Sequence, residues 1–315
     1  MLTEHHQSDL LRGSIQKLEI FSAIFDMARR IQIYLPPSYH EQPTQHYSVL
    51  YMHYGQYIFD APKHNGESWQ VHRVIEQLLD ADQIEEFIVV GIVAERETAQ
   101  SDYSHYTPAL PGGQLGGISY ESFILQELKP FIDKTYRTLR DYTNTVMIGA
   151  CQGAVATYNM AERHPTVFGK IGLISPSVYS WKAREWLYPT PIPKYEGLVW
   201  LGSGNSEGDY TTESRLLLDT LLGQGFRPGV DIFYTSIPDA GHNDMAWGAQ
   251  MYHPLLLFFG KSATADREEP SGPYNHLGTP LTLTFEQETR VGIHCQPLVT
   301  NPTIHYDSSN SRNQR

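Results

Sequence analysis

Residues 15–22 and 29–35 alternate apolar and polar positions, the period of two expected of strands with one buried face. Pro36-Pro37 closes the second segment, and the two together predict an antiparallel opening. The pattern then changes. Residues 47–52 and 87–93 are continuous apolar runs rich in β-branched side chains, as in strands covered on both faces, and residues 71–79 between them carry helical spacing. The alternation repeats through a helix at 120–136, a strand at 145–148, a helix at 152–164 and a strand at 169–174. It ends with strands at 198–201 and 230–235 and helices at 212–222 and 245–259. Short buried strands alternating with helices predict an α/β fold with a mostly parallel sheet covered on both faces.

Residues 261–315 break this rhythm. A linker-like stretch rich in Ser, Glu and Pro follows Lys261, residues 281–293 alternate like one or two strands, and residues 308–315 are polar and read as disordered. Two domains are therefore predicted, a main one over 1–260 and an extension over 261–315. The extension could be a hairpin, a lid or a dimer contact, which leaves self-association into a homo-oligomer open.

Composition narrows the functional classes. The 315 residues are 40 % hydrophobic and 18 % charged, which suits a folded core. A net charge of -12 without any Lys or Arg run lacks the footprint that nucleic acid or an anionic membrane surface requires. The two cysteines, Cys151 and Cys295, do not make a disulfide framework. No apolar stretch has the length of a bilayer span, and residues 1–13 have no leader-like core, so a cytoplasmic enzyme or binding protein is expected.

The chemistry concentrates at Gly149-Ala-Cys-Gln-Gly153, which leaves a buried strand and opens a helix. Flanking glycines in such a turn relieve crowding and expose the central side chain at the C-terminal edge of the sheet, where Cys151 becomes the candidate nucleophile. As a bare small hydrophobe Cys151 would need none of that context. A nucleophile of this kind requires an imidazole and an orienting carboxylate, in the chain order nucleophile, acid, His. His242 follows the 230–235 strand and is the candidate base. Glu207 and Asp209 both follow the 198–201 strand, and Glu207 is the preferred acid, although either could serve only a solvated turn. Oxyanion donors are expected from the amide of Gln152 and from the loop after Met52, near Gly55 or Gln56. Aromatic residues on loops after strands, Tyr57, Trp69, Tyr103, Tyr106, Tyr179, Trp181 and Trp186, are candidate pocket walls, with ordinary packing the competing reading.

Taken together, residues 13–259 resemble the esterase family of α/β-hydrolases that includes enterochelin-type esterases, S-formylglutathione hydrolase, feruloyl esterases and mycolyltransferases. The resemblance is carried by Ile33-Tyr-Leu-Pro-Pro-Ser-Tyr39, Leu50-Tyr-Met-His-Tyr-Gly-Gln-Tyr-Ile-Phe-Asp60, Glu127-Leu-Lys-Pro-Phe-Ile-Asp133 and Tyr136-Arg-Thr138. The elbow running into His164-Pro-Thr-Val-Phe168, Ser175-Pro-Ser177, and Gly241-His-Asn with Trp247 complete it. It implies an α/β-hydrolase fold, acyl transfer from a small-molecule ester or thioester, and no metal or organic cofactor. Gly204-Asn-Ser-Glu207 matches the family's turn bearing the acid, which strengthens Glu207. Three departures stand out: Cys151 replaces the usual Ser, Ala154 a usual Gly, and Tyr54 a common Asp, which makes Tyr54 a candidate substrate contact. With sulfur as nucleophile the intermediate is a thioester, open to amines as well as water, so an acyltransferase or cyclising enzyme is the alternative. A non-catalytic binding module on the same scaffold is the alternative from another class.

Overall fold

The two alternating segments form β1 (Ser14–Ser22) and β2 (Met27–Leu35), paired antiparallel from Ser14 opposite Leu35 to Ser22 opposite Met27. The computed structural model describes residues 11–59, 68–95, 102–103, 116–180, 185–186 and 195–261. The apolar runs become β3 (Ser48–Met52), β4 (Phe87–Ile92), β5 (Thr145–Ala150), β6 (Lys170–Ile174), β9 (Leu198–Gly204) and β10 (Ile232–Ile237), with a two-residue pair β7 (Tyr179–Ser180) and β8 (Glu185–Trp186) set apart. One eight-stranded sheet runs in the order β1-β2-β4-β3-β5-β6-β9-β10. β2 meets β4 antiparallel, and every pairing from β4 through β3, β5, β6 and β9 to β10 is parallel. All residues of β4 and β5 are buried, as central strands with both faces covered must be.

Helices α1 (Val71–Asp80), α2 (Gly116–Phe123), α3 (Lys129–Thr135), α4 (Gln152–Arg163), α5 (Asp209–Gly223), α6 (Asp244–Gln250) and α7 (Tyr252–Phe259) connect the strands. Two predicted helices turn out to be composite. A π-helical stretch at Ile124–Leu128 separates α2 from α3, just before Pro130, which has no N–H to continue an α ladder. The last predicted helix is broken at Met251 into α6 and α7. Apolar side chains from both faces of the sheet build the core, one set with Phe123, Tyr158 and Leu217, the other with Trp69, Leu255 and Phe259.

Under this sheet's antiparallel end lies an ion pair with no exposure at either side chain, Arg29 with Asp102 at 2.7 Å, the guanidinium lying 4.5 Å from the Phe25 ring centroid and 5.2 Å from that of Phe123. Chain contacts separate Met1–Glu269 from Pro270–Arg315. The predicted strands at 281–293 lie outside the described residues. Among the described residues, no helix is long and apolar enough to cross a membrane.

Candidate active site

β5 runs fully buried into Cys151, and α4 begins at the next residue. Cys151 itself has φ 51° and ψ -121°, a conformation that a side chain with a Cβ adopts only under constraint. The constraint is visible in the backbone: its N–H donates to the Ile174 carbonyl at 3.0 Å and its carbonyl accepts from Ser177 N–H at 3.3 Å, tying the turn to the end of β6. The flanking glycines answer close approach. A Cβ at Gly149 would collide with the Gly153 carbonyl, and one at Gly153 would come within 3.2 Å of His53 Cβ. The elbow therefore exists because two backbones pass where no side chain fits, and it leaves the Cys151 side chain partly exposed.

Glu207 and His242 arrive from the two neighbouring strand ends. β9 delivers Glu207 into a turn where its Oε1 accepts the Gly204 N–H at 2.8 Å and the Ser175 hydroxyl at 2.6 Å, and its side chain is fully buried. Its Oε2 faces His242 Nδ1 at 3.4 Å, long for a charge-assisted bond. Asp209, the other candidate acid, is exposed in the first turn of α5 and takes no part in this arrangement. Nδ1 is turned to Glu207, and Cys151 also bears on the imidazole. Burial depresses the imidazole, but hydrogen bonds and charge from Cys151 and Glu207 outweigh it and raise the His242 pKa from 6.5 to about 9. An imidazole held protonated beside Cys151 and Glu207 is the arrangement that these signs describe.

Aromatic rings enclose the imidazole. Tyr210 stacks on it with ring centroids 3.7 Å apart and planes 15° from parallel, while Trp247 meets it at 87° and 4.9 Å. Trp247 Nε1–H donates to Ser175 Oγ at 3.2 Å, so Ser175 relays between the indole and Glu207. Behind Trp247 lies Trp69, 5.9 Å away edge-on, whose Nε1–H donates to Asp244 at 2.9 Å. Trp69 is 2 % and Tyr103 4 % exposed, so both predicted wall residues are packed supports instead.

The loop after β3 corrects one expectation. Gly55 N–H donates to the Ile92 carbonyl at 2.7 Å and is not available to an oxyanion, because the loop must anchor itself to the end of β4. His53 and Tyr57 amides are likewise engaged, with Ile148 and Tyr54 carbonyls, and the Tyr54 amide points at the Tyr103 hydroxyl at 3.4 Å. Among the described residues the Gln56 amide makes no backbone hydrogen bond, while its side-chain Oε1 accepts from Ala94 N–H at 3.0 Å. The Gln152 amide, first in α4, has no intrahelical acceptor either. Among the described residues, Gln56 and Gln152 thus present backbone N–H groups that take no backbone acceptor.

Tyr54 has φ 55° and its ring lies against the first turn of α4, where a Cβ on Gly153 would be 3.4 Å from Tyr54 Cε2. Burial first, then the neighbouring Tyr103 and Cys151, push its phenol well above the usual range, so the hydroxyl stays protonated. Tyr57 is half-buried beside it. Tyr106 and Trp181 lie outside the described residues, as do the side chains of Tyr179 and Trp186. Among the described residues, no three His, Cys, Asp or Glu side chains are grouped to hold a metal ion.

Sequence reasoning missed the roles of Tyr210 and Ser175. Ser175 follows a buried strand directly and has φ 44°, but a lone serine carries no signal of its own. Tyr210 is the second residue of a helix that starts at Asp209, three residues before its predicted start at 212.

Residues 22–256 match the family model described as "Putative esterase". The chain belongs to that family. Its membership makes it an esterase-type hydrolase, and the fold agrees. An endo-1,4-β-xylanase/feruloyl esterase of Xylanibacter ruminicola is 27 % identical over 214 residues, 64 % of this chain and 26 % of that protein. A ferulic acid esterase structure from Anaeromyces mucronatus superposes with TM-score 0.61 at 17 % identity, covering 78 % of this chain and 90 % of the other. The enterobactin esterase of Shigella flexneri does so with TM-score 0.63 at 16 % identity, covering 78 % of this chain and 58 % of the other.

Proposed function

We propose that this family member cleaves a carboxylic ester or thioester through a thioester on Cys151, with His242 moving the proton and Glu207 orienting the imidazole. The observation that carries this reading is Cys151 at positive φ on a strand-to-helix turn, at the same sheet edge as a His whose Nδ1 faces a buried carboxylate. In acylation the thiolate attacks the carbonyl carbon, the oxyanion takes hydrogen bonds from Gln56 and Gln152, and the imidazolium gives its proton to the departing alkoxide or thiolate. Once the sulfur is acylated its negative charge is gone, so the influence that kept His242 protonated is gone too. The neutral imidazole then removes a proton from water, which attacks the thioester and releases the acid and the resting pair.

The acyl group suited to this edge is aromatic, since Tyr54, Tyr57, Tyr210 and Trp247 border it and the named relatives include ferulic acid and enterobactin esterases. A thioester also yields to amines, and the sulfur nucleophile favours transfer as the second reading. Intact-protein mass after mixing with activated aryl esters tests both. A transient adduct absent from Cys151→Ala supports the thioester route, and release accelerated by an added amine assigns transfer. If neither adduct nor turnover forms across a broad panel, the reading fails and a binding module remains.

A further inference from the structure

We propose that Tyr210 is a positioning residue whose ring, stacked on the His242 imidazole, holds that ring in line between Cys151 and Glu207 and stabilises it while it is charged. The inference deepens the catalytic reading and rests on it for its purpose, but its physical content can be tested apart from it. The geometry is specific: 3.7 Å between centroids and 15° between planes is face-to-face contact, with Trp247 at 87° fixing the ring from another side. The 3.4 Å contact to Glu207 is long and leaves the imidazole room to turn about its side-chain bonds, and a ring pressed on one face reduces that freedom. A phenol face also attracts a cation lying over it, and it excludes water from the same face. Tyr210 is itself anchored, since it lies in the first turn of α5 and its carbonyl accepts the Ser214 hydroxyl at 2.8 Å.

The titratable groups that bear on the imidazole are Cys151 on the elbow and Glu207 in the β9 turn; Asp209 and Glu213 of α5 bear with them on Tyr210, exposed Asp239 lies in the histidine's own loop and Asp244 opens α6. Tyr210→Phe and Tyr210→Leu alter none of them, which isolates the ring. The readout is the pH profile of Cys151 alkylation by iodoacetamide, a displacement at carbon that reports the thiolate and needs no oxyanion donor. It is measured beside acylation by p-nitrophenyl acetate.

Tyr210→Phe is expected to keep the wild-type alkylation midpoint, whereas Tyr210→Leu moves it up by about half a unit to one unit, slowing alkylation on the acid side about three- to tenfold. Tyr210→Met, which fills space without a π face, is expected to repeat the shift and replaces Leu if that variant does not fold. An unmoved midpoint in the Leu and Met variants overturns the proposal, and so does an equal shift in Phe, which would assign the effect to the hydroxyl. If the wild type is alkylated with the expected shifts but is never acylated, the esterase mechanism through Cys151 fails while the positioning role stands.

Discussion

The proposed pairing of Cys151 with a protonated His242 makes the response to high pH depend on the leaving group. His242 titrates at about 9, so between pH 8 and pH 10 its protonated fraction falls from about nine-tenths to about one-tenth, roughly tenfold. The folded value lies above the ordinary one, so the proton is held below about 9 and lost above it. An alkyl ester expels a strongly basic alkoxide, which departs slowly unless the imidazolium protonates it. A p-nitrophenyl ester expels a weakly basic phenolate that needs no such help. Acylation by the alkyl ester should therefore fall about tenfold from pH 8 to pH 10, while acylation by the nitrophenyl ester stays level once the thiolate is formed. The assay is the pre-steady-state rate of adduct formation at Cys151, followed by rapid quench and intact mass, with alkaline hydrolysis of each ester subtracted. Parallel profiles for the two esters, or an alkyl-ester rate that keeps rising through pH 10, would refute an imidazolium acting as the acid.

Cys151→Ser removes the anion that helps hold the imidazole charged, so His242 should return toward its ordinary pKa and the alkyl-ester profile should lose its fall above pH 9, read by the same quench assay. Ser175→Ala takes from buried Glu207 a hydroxyl at 2.6 Å and leaves the Trp247 N–H without its acceptor, a loss of about 2 kcal/mol in urea unfolding with at least about tenfold lower kcat. Gly149→Ala drives a Cβ into the Gly153 carbonyl and should abolish selective Cys151 alkylation or destabilise the fold by about 3 kcal/mol or more. Asp102→Ala removes the carboxylate from a fully buried ion pair with Arg29 and should cost about 3–5 kcal/mol, whereas the double replacement Arg29→Met with Asp102→Leu should recover most of it, as thermal unfolding will show.

What the sequence discloses and what it conceals follow from the range over which each feature is determined. The sheet was legible because burial on both faces leaves uninterrupted runs such as residues 87–92, and the elbow because strand, glycine and helix signals are adjacent in the chain. Glu207 was preferred to Asp209 along the chain and strengthened by the resemblance, but what separates them is spatial, since both follow the same strand and one carboxylate turns back to the Gly204 amide while the other faces solvent. The choice between Gly55 and Gln56 depended on which amide the end of β4 captures, a contact from 37 residues further along, Ile92, that no local pattern encodes. Tyr210 and Ser175 are harder again. Each acts only through a partner from another strand end, Tyr210 on His242 and Ser175 between Trp247 and Glu207. The nucleophile is written in a local motif because backbone crowding at one turn dictates it. The environment that would set its reactivity is assembled from four separate strand ends, β3, β6, β9 and β10, and becomes visible only when the parallel sheet brings those ends to one edge.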